Sequence, residues 1–222
     1  MSSIESGNIL VINPNSSEAV TRAIDAAVEP LRAASPFPII VTGLRDTPSG
    51  IALQSDADQV APPVLQTMLA HPARGYVVAC FSDPGVTGAR EVIAAPVRGI
   101  GESAILHAMT RADRFGVIAL SASSVLRQRR LVRVMGVAER YAGSRAVDAR
   151  AEETTNDALL DRMNEAAFRL VADGADIIIM GCAGMAHFRA RIEAHCQRPV
   201  VEPTRAAVAA LIGDCLLRSC DV

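Results

Sequence analysis

The sequence predicts an α/β fold of two similar halves, each a parallel four-stranded sheet covered by helices. Three observations carry that expectation. Half of the 222 residues are apolar, yet aromatics make up 3% and Trp is absent; the core must therefore be Ala, Val, Ile and Leu, which suits parallel sheets under Ala-rich helices. Apolar runs of strand length alternate with longer amphipathic stretches. The order of these elements then repeats halfway along the chain.

The first half reads as follows. Asn8–Ile12 (NILVI) is a strand, and Ser16–Ala34 a helix with Ser16 or Ser17 as N-cap. Pro36 and Pro38 end the helix, and Pro38–Thr42 is the second strand. Asp46–Asp56 is a Gly/Pro/Ser-bearing loop. Asp58–His71 is helical, with Pro62 and Pro63 expected in its first turn or at a kink. Gly75–Cys80 (GYVVAC) is the third strand, followed by a turn (SDPG), a helix over Ala89–Ala94, a strand at Pro96–Ile100 and a helix from Glu102 to Thr110.

The second half repeats this order. Phe115–Leu120 is a strand, Ser124–Met135 a helix, Ser144–Asp148 a weak strand and Thr154–Asp173 a long helix. Asp176–Gly181 (DIIIMG) is a buried strand ending at Cys182. Ala186–His195 is helical, Pro199–Val201 a short strand and Thr204–Leu217 the final helix. Cys80 lies 16 residues before Pro96 and Cys182 lies 17 before Pro199, and both prolines open a Pro-Val strand that leads into an Ala-rich helix. Self-similarity at this period means two pseudo-symmetric, Rossmann-like α/β subdomains. The expected division is residues 8–110 and 111–222, with the C-terminal helix able to pack back on the first. No flexible linker separates them, so an extensive shared interface follows.

Composition excludes several functions. Net charge is −2, and no basic tract gives the footprint of a nucleic-acid binder. Apolar stretches are far too short to span a membrane. The Met1–Gly7 lead is polar and short, unlike a targeting peptide, which by default places the protein in the cytoplasm. The five cysteines are Cys80, Cys182, Cys196, Cys215 and Cys220. They form no zinc-type cluster, so no metal is expected, and an odd number in a chain without a secretion signal points to reduced thiols.

In open parallel sheets, ligands bind beyond the carboxyl ends of the strands. Asn13, Asn15 and Ser16 follow the first strand, Cys80, Phe81, Ser82 and Asp83 the third, and Cys182, Ala183, Gly184 and Met185 its counterpart. Facing halves would bring these loops to one cleft. A cysteine before a helix start gains from the helix amides, which lower a thiol pKa and can bind a carboxylate or an enolate oxygen. Two thiols across a cleft can invert a carbon acidified by a neighbouring carbonyl, one removing a proton and the other delivering one to the opposite face.

A single strand-end cysteine is more often a small core hydrophobe; equivalence in two repeats reverses that weighting for Cys80 and Cys182. Cys196, Cys215 and Cys220 lack it and read as structural. Asp83 reads as a turn or N-cap residue. His187 could face the cleft but reads better as helix surface. Asn13 and Asn15 read equally well as an Asx turn or as ligands. Arg127, Arg129, Arg130 and Arg133 read as a solvated helix face or an oligomer contact.

The segments VINPNSS at the first strand, ACFSDPG around Cys80, PVRGIGES, and IIIMGCAGM around Cys182 together resemble the aspartate/glutamate/hydantoin racemase superfamily, and within it the hydantoin and allantoin racemase branch. The resemblance covers almost the whole chain. It implies an active site between two pseudo-symmetric subdomains, no cofactor, a homo-oligomer, and Cys80 and Cys182 as an acid–base pair. It also implies that Asn13, Phe81, Ser82, Ala183, Gly184 and Met185 hold a small substrate's carbonyl or carboxylate groups. Four places depart from the branch. Ser82 stands where Gly is usual, Ala119-Leu120 where a Thr-Thr pair is usual, Ala52 where Glu is usual, and Glu202 where Asp is usual.

The expected activity is thus a cofactor-independent racemase or epimerase acting next to a carbonyl, on a 5-substituted hydantoin or related ureide. Two alternatives stand beside it. One is a cis–trans isomerase or decarboxylase of a small dicarboxylic acid on the same scaffold. The other is a non-catalytic ligand-binding protein.

Overall fold

The computed structural model describes residues 6–220; the Met1–Glu5 part of the polar lead lies outside them, as does the side chain of Cys220. The first sheet holds β1 (Ser6–Asn13), β2 (Ile39–Gly43), β3 (Ala73–Val78) and β4 (Val97–Gly99) in the order β2-β1-β3-β4. The second holds β5 (Phe115–Ala119), β6 (Tyr141–Ala146), β7 (Ile177–Met180) and β8 (Val200–Val201) in the order β6-β5-β7-β8. All pairings are parallel. The two sheets are topologically identical, as the repeat predicts. In each, the chain reverses its direction of winding between the first and third strands, so the crevice lies at the ends of β1 and β3 and of β5 and β7.

The helices follow with several shifted boundaries. α1 (Glu18–Arg32) is capped by Ser17, whose Oγ accepts from the Val20 amide at 3.3 Å. α2 (Gln54–Ala70) begins earlier than the sequence suggests, because the Asp56 carboxylate accepts from the Ala52 and Leu53 amides at 2.9 and 2.8 Å. Pro62 and Pro63 consequently sit in mid-helix rather than in a first turn. The carbonyls they leave without intrahelical donors, those of Asp58 and Gln59, belong to exposed residues that water can serve. α3 (Val86–Val92) and α4 (Ile100–Met109) complete the first half.

In the second half, α5 (Ala122–Val134) is followed by β6, which starts and ends before the predicted 144–148. The expected long helix from Thr154 is instead two short 3-10 segments, Ala151–Thr155 and Asp157–Leu159, followed by α6 (Leu160–Ala172). After β7, residues Ala183–Phe188 form a 3-10 turn before α7 (Arg189–Cys196), and α8 (Pro203–Cys220) closes the chain.

The last helix of each half crosses to the other sheet. Ala207, Val208, Leu211 and Cys215 of α8 pack with Ile9 and Val11 of β1 and Val77 of β3. Ala104, Ile105 and Ala108 of α4 pack with Phe115 and Val117 of β5 and Ile177 and Ile179 of β7. The first crossing explains a glycine: a Cβ at Gly75 would stand 2.9 Å from Leu211 Cδ1, so only Gly lets α8 lie so close to β3. It is reinforced by a two-pronged ion pair between Arg98 on β4 and Asp214 on α8, at 2.6 and 2.7 Å. This exchange fixes one sheet against the other and so holds the strand-end loops of both halves in register. Among the described residues, no helix is long and apolar enough to cross a membrane.

Candidate active site

The loops at the four inner strand ends enclose a cavity of about 50 Å³. Cys80, Phe81 and Ser82 line it from the end of β3, and Gly181, Cys182 and Ala183 from the end of β7. Asn15 enters from the β1 loop and Leu120 from the β5 end. Ile51, Leu120, Ser124 and Ala151 also line an adjoining hollow of about 320 Å³, floored by Ser49, Gly50 and Ser121. A small enclosed space between the thiols thus adjoins a larger outer one.

Cys80 opens a tight turn in which the Asp83 amide donates to the Cys80 carbonyl at 2.9 Å. Asp83 takes a left-handed backbone (φ 48°), which Asp tolerates better than most residues. Its carboxylate does not cap the helix that follows it. It reaches 18 residues along the chain to accept from the Gly101 and Glu102 amides, at 2.8 and 2.7 Å, at the start of α4. The cap role expected from the sequence is therefore real but belongs to a different helix. Burial raises the Asp83 pKa to about 8, opposed by those two amides.

Backbone amides are aimed at both sulfurs: Ser82 at Cys80, and Gly184 and Ala183 at Cys182. They do not win. Burial pushes Cys80 up to about 12 and Cys182 up to about 11, so in the unliganded protein both rest as thiols. Each thiol has a buried acid near it. Asp83 disfavours the Cys80 thiolate and Glu202 disfavours that of Cys182. Glu202 itself caps α8, accepting from the Thr204 and Arg205 amides at 3.0 and 2.6 Å.

Of the expected ligands, Phe81, Ser82 and Ala183 line the cavity with the two cysteines, and Asn13, Gly184 and Met185 do not. Asn13 is fully buried, and its amide is spent on the loop: Nδ2 donates to Asn15 Oδ1 at 3.0 Å and to Thr21 Oγ1 at 2.9 Å. It thereby positions Asn15, which does face the cavity. Met185 is a core residue packed in the second half. Gly184 contributes its amide, and a Cβ there would stand 2.2 Å from Thr154 Oγ1. His187 is exposed, as expected. Among the described residues, no three His, Cys, Asp or Glu side chains gather as metal ligands.

Arg127 is not the surface residue its neighbours suggest. It lines the cavity, and its Nε donates to Ser82 Oγ at 3.0 Å. Nη1 donates to the Ala52 carbonyl at 2.5 Å and Nη2 to Ser124 Oγ at 3.1 Å. The inner face of α5 carries Ser124, Gln128 and Val132, four residues apart and all buried. Polar residues on a buried helix face were the available sign that this helix borders a site.

The sequence matches the profile of the Asp/Glu/hydantoin racemase family over residues 9–211. The chain belongs to that family. It is 34% identical over 208 residues to a hydantoin racemase of Rhizobium meliloti, an alignment covering 90% of this chain and 86% of the relative. It is 29% identical over 208 residues to a hydantoin racemase of Paenarthrobacter aurescens, covering 90% and 87%. Its fold superposes on the allantoin racemase from Klebsiella pneumoniae with a TM-score of 0.88 and 30% identity, over 96% of this chain and 89% of that one. Racemases are isomerases, and this member of the family is an enzyme of that class.

Proposed function

We propose that this racemase-family member inverts a carbon next to a carbonyl, in a 5-substituted hydantoin or related ureide, using Cys80 and Cys182 as its acid–base pair. The observation that carries the proposal is that the two thiols line one small cavity from equivalent strand ends of the two halves. One sulfur must first release its proton to solvent, and as thiolate it then takes the proton from the acidified carbon. The other, as thiol, delivers a proton to the opposite face, and the two have then exchanged protonation states. Phe81, Ser82 and Ala183 would hold the carbonyl groups, with Gly184 acting through its amide on Cys182 and with Asn13 and Met185 supporting the loops. The reaction centre occupies the inner cavity and the substituent extends toward the outer hollow, whose size is that of an ordinary small-ligand site.

The proposal takes the protein to work without a cofactor, as a cytoplasmic homo-oligomer whose subdomains are residues 8–110 and 111–222. Enantiopure 5-substituted hydantoins and allantoin, incubated in heavy water, test it. Optical activity should decay while solvent deuterium enters the stereocentre, and Cys80→Ala and Cys182→Ala should each abolish racemisation in both directions. Racemisation retained by Cys80→Ala would overturn the two-thiol mechanism. A stable covalent adduct on Cys80, seen by mass spectrometry with an unsaturated diacid, would point to the isomerase alternative.

A further inference from the structure

The guanidinium of Arg127 is half-buried at the cleft, and among the described residues it has no acidic partner. Among the described residues it forms no ion pair, and the oxygens it meets belong to Ser82, Ser124, Ile51 and Ala52, all uncharged groups. Among the described residues only one of the two Nη1 N–H groups is committed, to the Ala52 carbonyl. The nearest charges acting on it do not neutralise it. Asp56 acts on it only through space, its carboxylate being turned to the Ala52 and Leu53 amides and forming no ion pair with it, Arg130 is a like charge, and Cys80 rests protonated. A cation taken partly out of water without a counter-charge is costly, and an incoming anion recovers that cost.

Its position is as informative as its charge. Ser82 belongs to the inner cavity, Ala52 to the outer hollow, and Ile51 and Ser124 to both. Arg127 therefore stands at the passage from the thiols to the outer space.

We infer that Arg127 is a specificity-determining residue that binds a carboxylate on the substrate's substituent, so that the preferred substrate is a ureide bearing an acidic side chain. The inference rests on the racemase reading and narrows it to a substrate class. The carboxylate would take the other Nη1–H and face the guanidinium where the substituent leaves the inner cavity for the hollow. A neutral substituent of the same shape would leave the cation uncompensated.

Two measurements test it, and they fail separately. The first needs no turnover: the alkylation rates of the cavity thiols by iodoacetate and by iodoacetamide, each scaled to N-acetylcysteine. The wild type should favour the anionic reagent by about tenfold, the worth of one charge-assisted contact. Arg127→Gln should lose that preference and Arg127→Lys should keep most of it, with thermal melts confirming that both variants are folded. Equal ratios in the wild type and the folded Gln variant would overturn the anion site. The second compares 5-carboxymethylhydantoin with its carboxamide by deuterium exchange. A preference for the acid expressed in KM and lost in Arg127→Gln supports the inference. Exchange of both substrates without preference removes it and leaves the racemase reading intact. No exchange of either, with the iodoacetate preference retained, supports the anion site and removes the hydantoin substrate of the proposed function.

Discussion

Asp83 holds Gly101. The carboxylate in the turn after Cys80 accepts the first free amides of α4, at 2.8 Å from Gly101 and 2.7 Å from Glu102, and α4 is the helix that packs on the opposite sheet. The loop carrying one thiol is thereby tied to the helix that spans both halves. Two glycines make room for it. A Cβ at Gly99 would stand 2.1 Å from the Asp83 carboxylate carbon, and one at Gly101 would stand 2.4 Å from the Phe81 carbonyl.

Removing this cap should cost both stability and activity. Asp83→Ala should lower unfolding stability by about 1–2 kcal/mol, the usual worth of a helix cap, as read by urea denaturation. The pH dependence separates the cap from its charge. The folded pKa is raised from 3.8 to about 8, so between those values the unfolded chain has released a proton that the folded chain keeps. Raising pH through this window therefore favours unfolding. The stability advantage of the wild type over Asp83→Asn should be larger at pH 5 than at pH 8. An advantage that is the same at pH 5 and pH 8 would mean that the carboxyl is ionised throughout.

The thiols make an opposite statement about reactivity from the one their position suggests. Helix-start amides normally lower a cysteine pKa, but here burial outweighs them and the thiols sit at about 12 and 11. The alkylation of Cys80 and Cys182 by iodoacetamide should be slower at pH 8 than that of an exposed thiol, and should climb without a plateau up to pH 10. Because both folded values are raised, their contribution to stability is intact below the ordinary thiol pKa of 9.0 and is lost as pH rises above it. A Cys80→Ala/Cys182→Ala variant should lose less stability than the wild type between pH 9 and pH 10.5. A plateau in the alkylation rate near neutrality would show that substrate-free protein already holds a thiolate.

The crossing of α8 onto the first sheet gives a third expectation. Leu211 is fully buried against β3 at the glycine that admits it. Leu211→Ala should cost about 2–5 kcal/mol, shifting the urea midpoint of a single transition. It should also reduce turnover, because β3 carries the Cys80 loop at its end. A loss confined to a separate, late-melting transition would show that α8 is not part of the cooperative unit.

What could be read in the sequence, and what could not, follows from where side chains act. NILVI, GYVVAC and DIIIMG are short apolar runs of the kind a strand buried on both faces needs, which makes the strands legible, although β3 ends at Val78 and Cys80 lies in the turn beyond it rather than in the strand. The edge strand β6 was shifted because Tyr141–Ala146 (YAGSRA) carries no apolar run to mark it. The segment before α6 carries a helix-like pattern, but its first turns are 3-10 segments held by local contacts such as Asn156 Oδ1 with the Ala158 amide. Arg127 was hidden by composition. It shares α5 with Arg129, Arg130 and Arg133, and charge density alone marks such a helix as solvent-facing. Only the partners of Arg127 across the cleft, 45 residues away at Ser82 and 75 away at Ala52, set it apart, and sequence spacing does not encode them.

The last expectation concerns Gly184, which touches the chemistry without lining the cavity. A Cβ there would meet Thr154 Oγ1 at 2.2 Å and Thr154 Cβ at 3.1 Å. Thr154 is itself fully buried, and its hydroxyl donates to the Ala151 carbonyl at 2.6 Å. Neither side can move freely, so Gly184→Ala should displace either the 3-10 segment that brings Ala151 to the cavity or the amides aimed at Cys182. Turnover should fall, and alkylation of Cys182 should change while that of Cys80 stays the same. The clash has a specific remedy. Removing the hydroxyl in Gly184→Ala/Thr154→Ala relieves the close contact, so the double variant should recover part of what Gly184→Ala loses, a non-additivity expected only of residues in contact. Additive losses, with no recovery in the double variant, would show that the glycine is needed for its backbone freedom and not for the space Thr154 occupies.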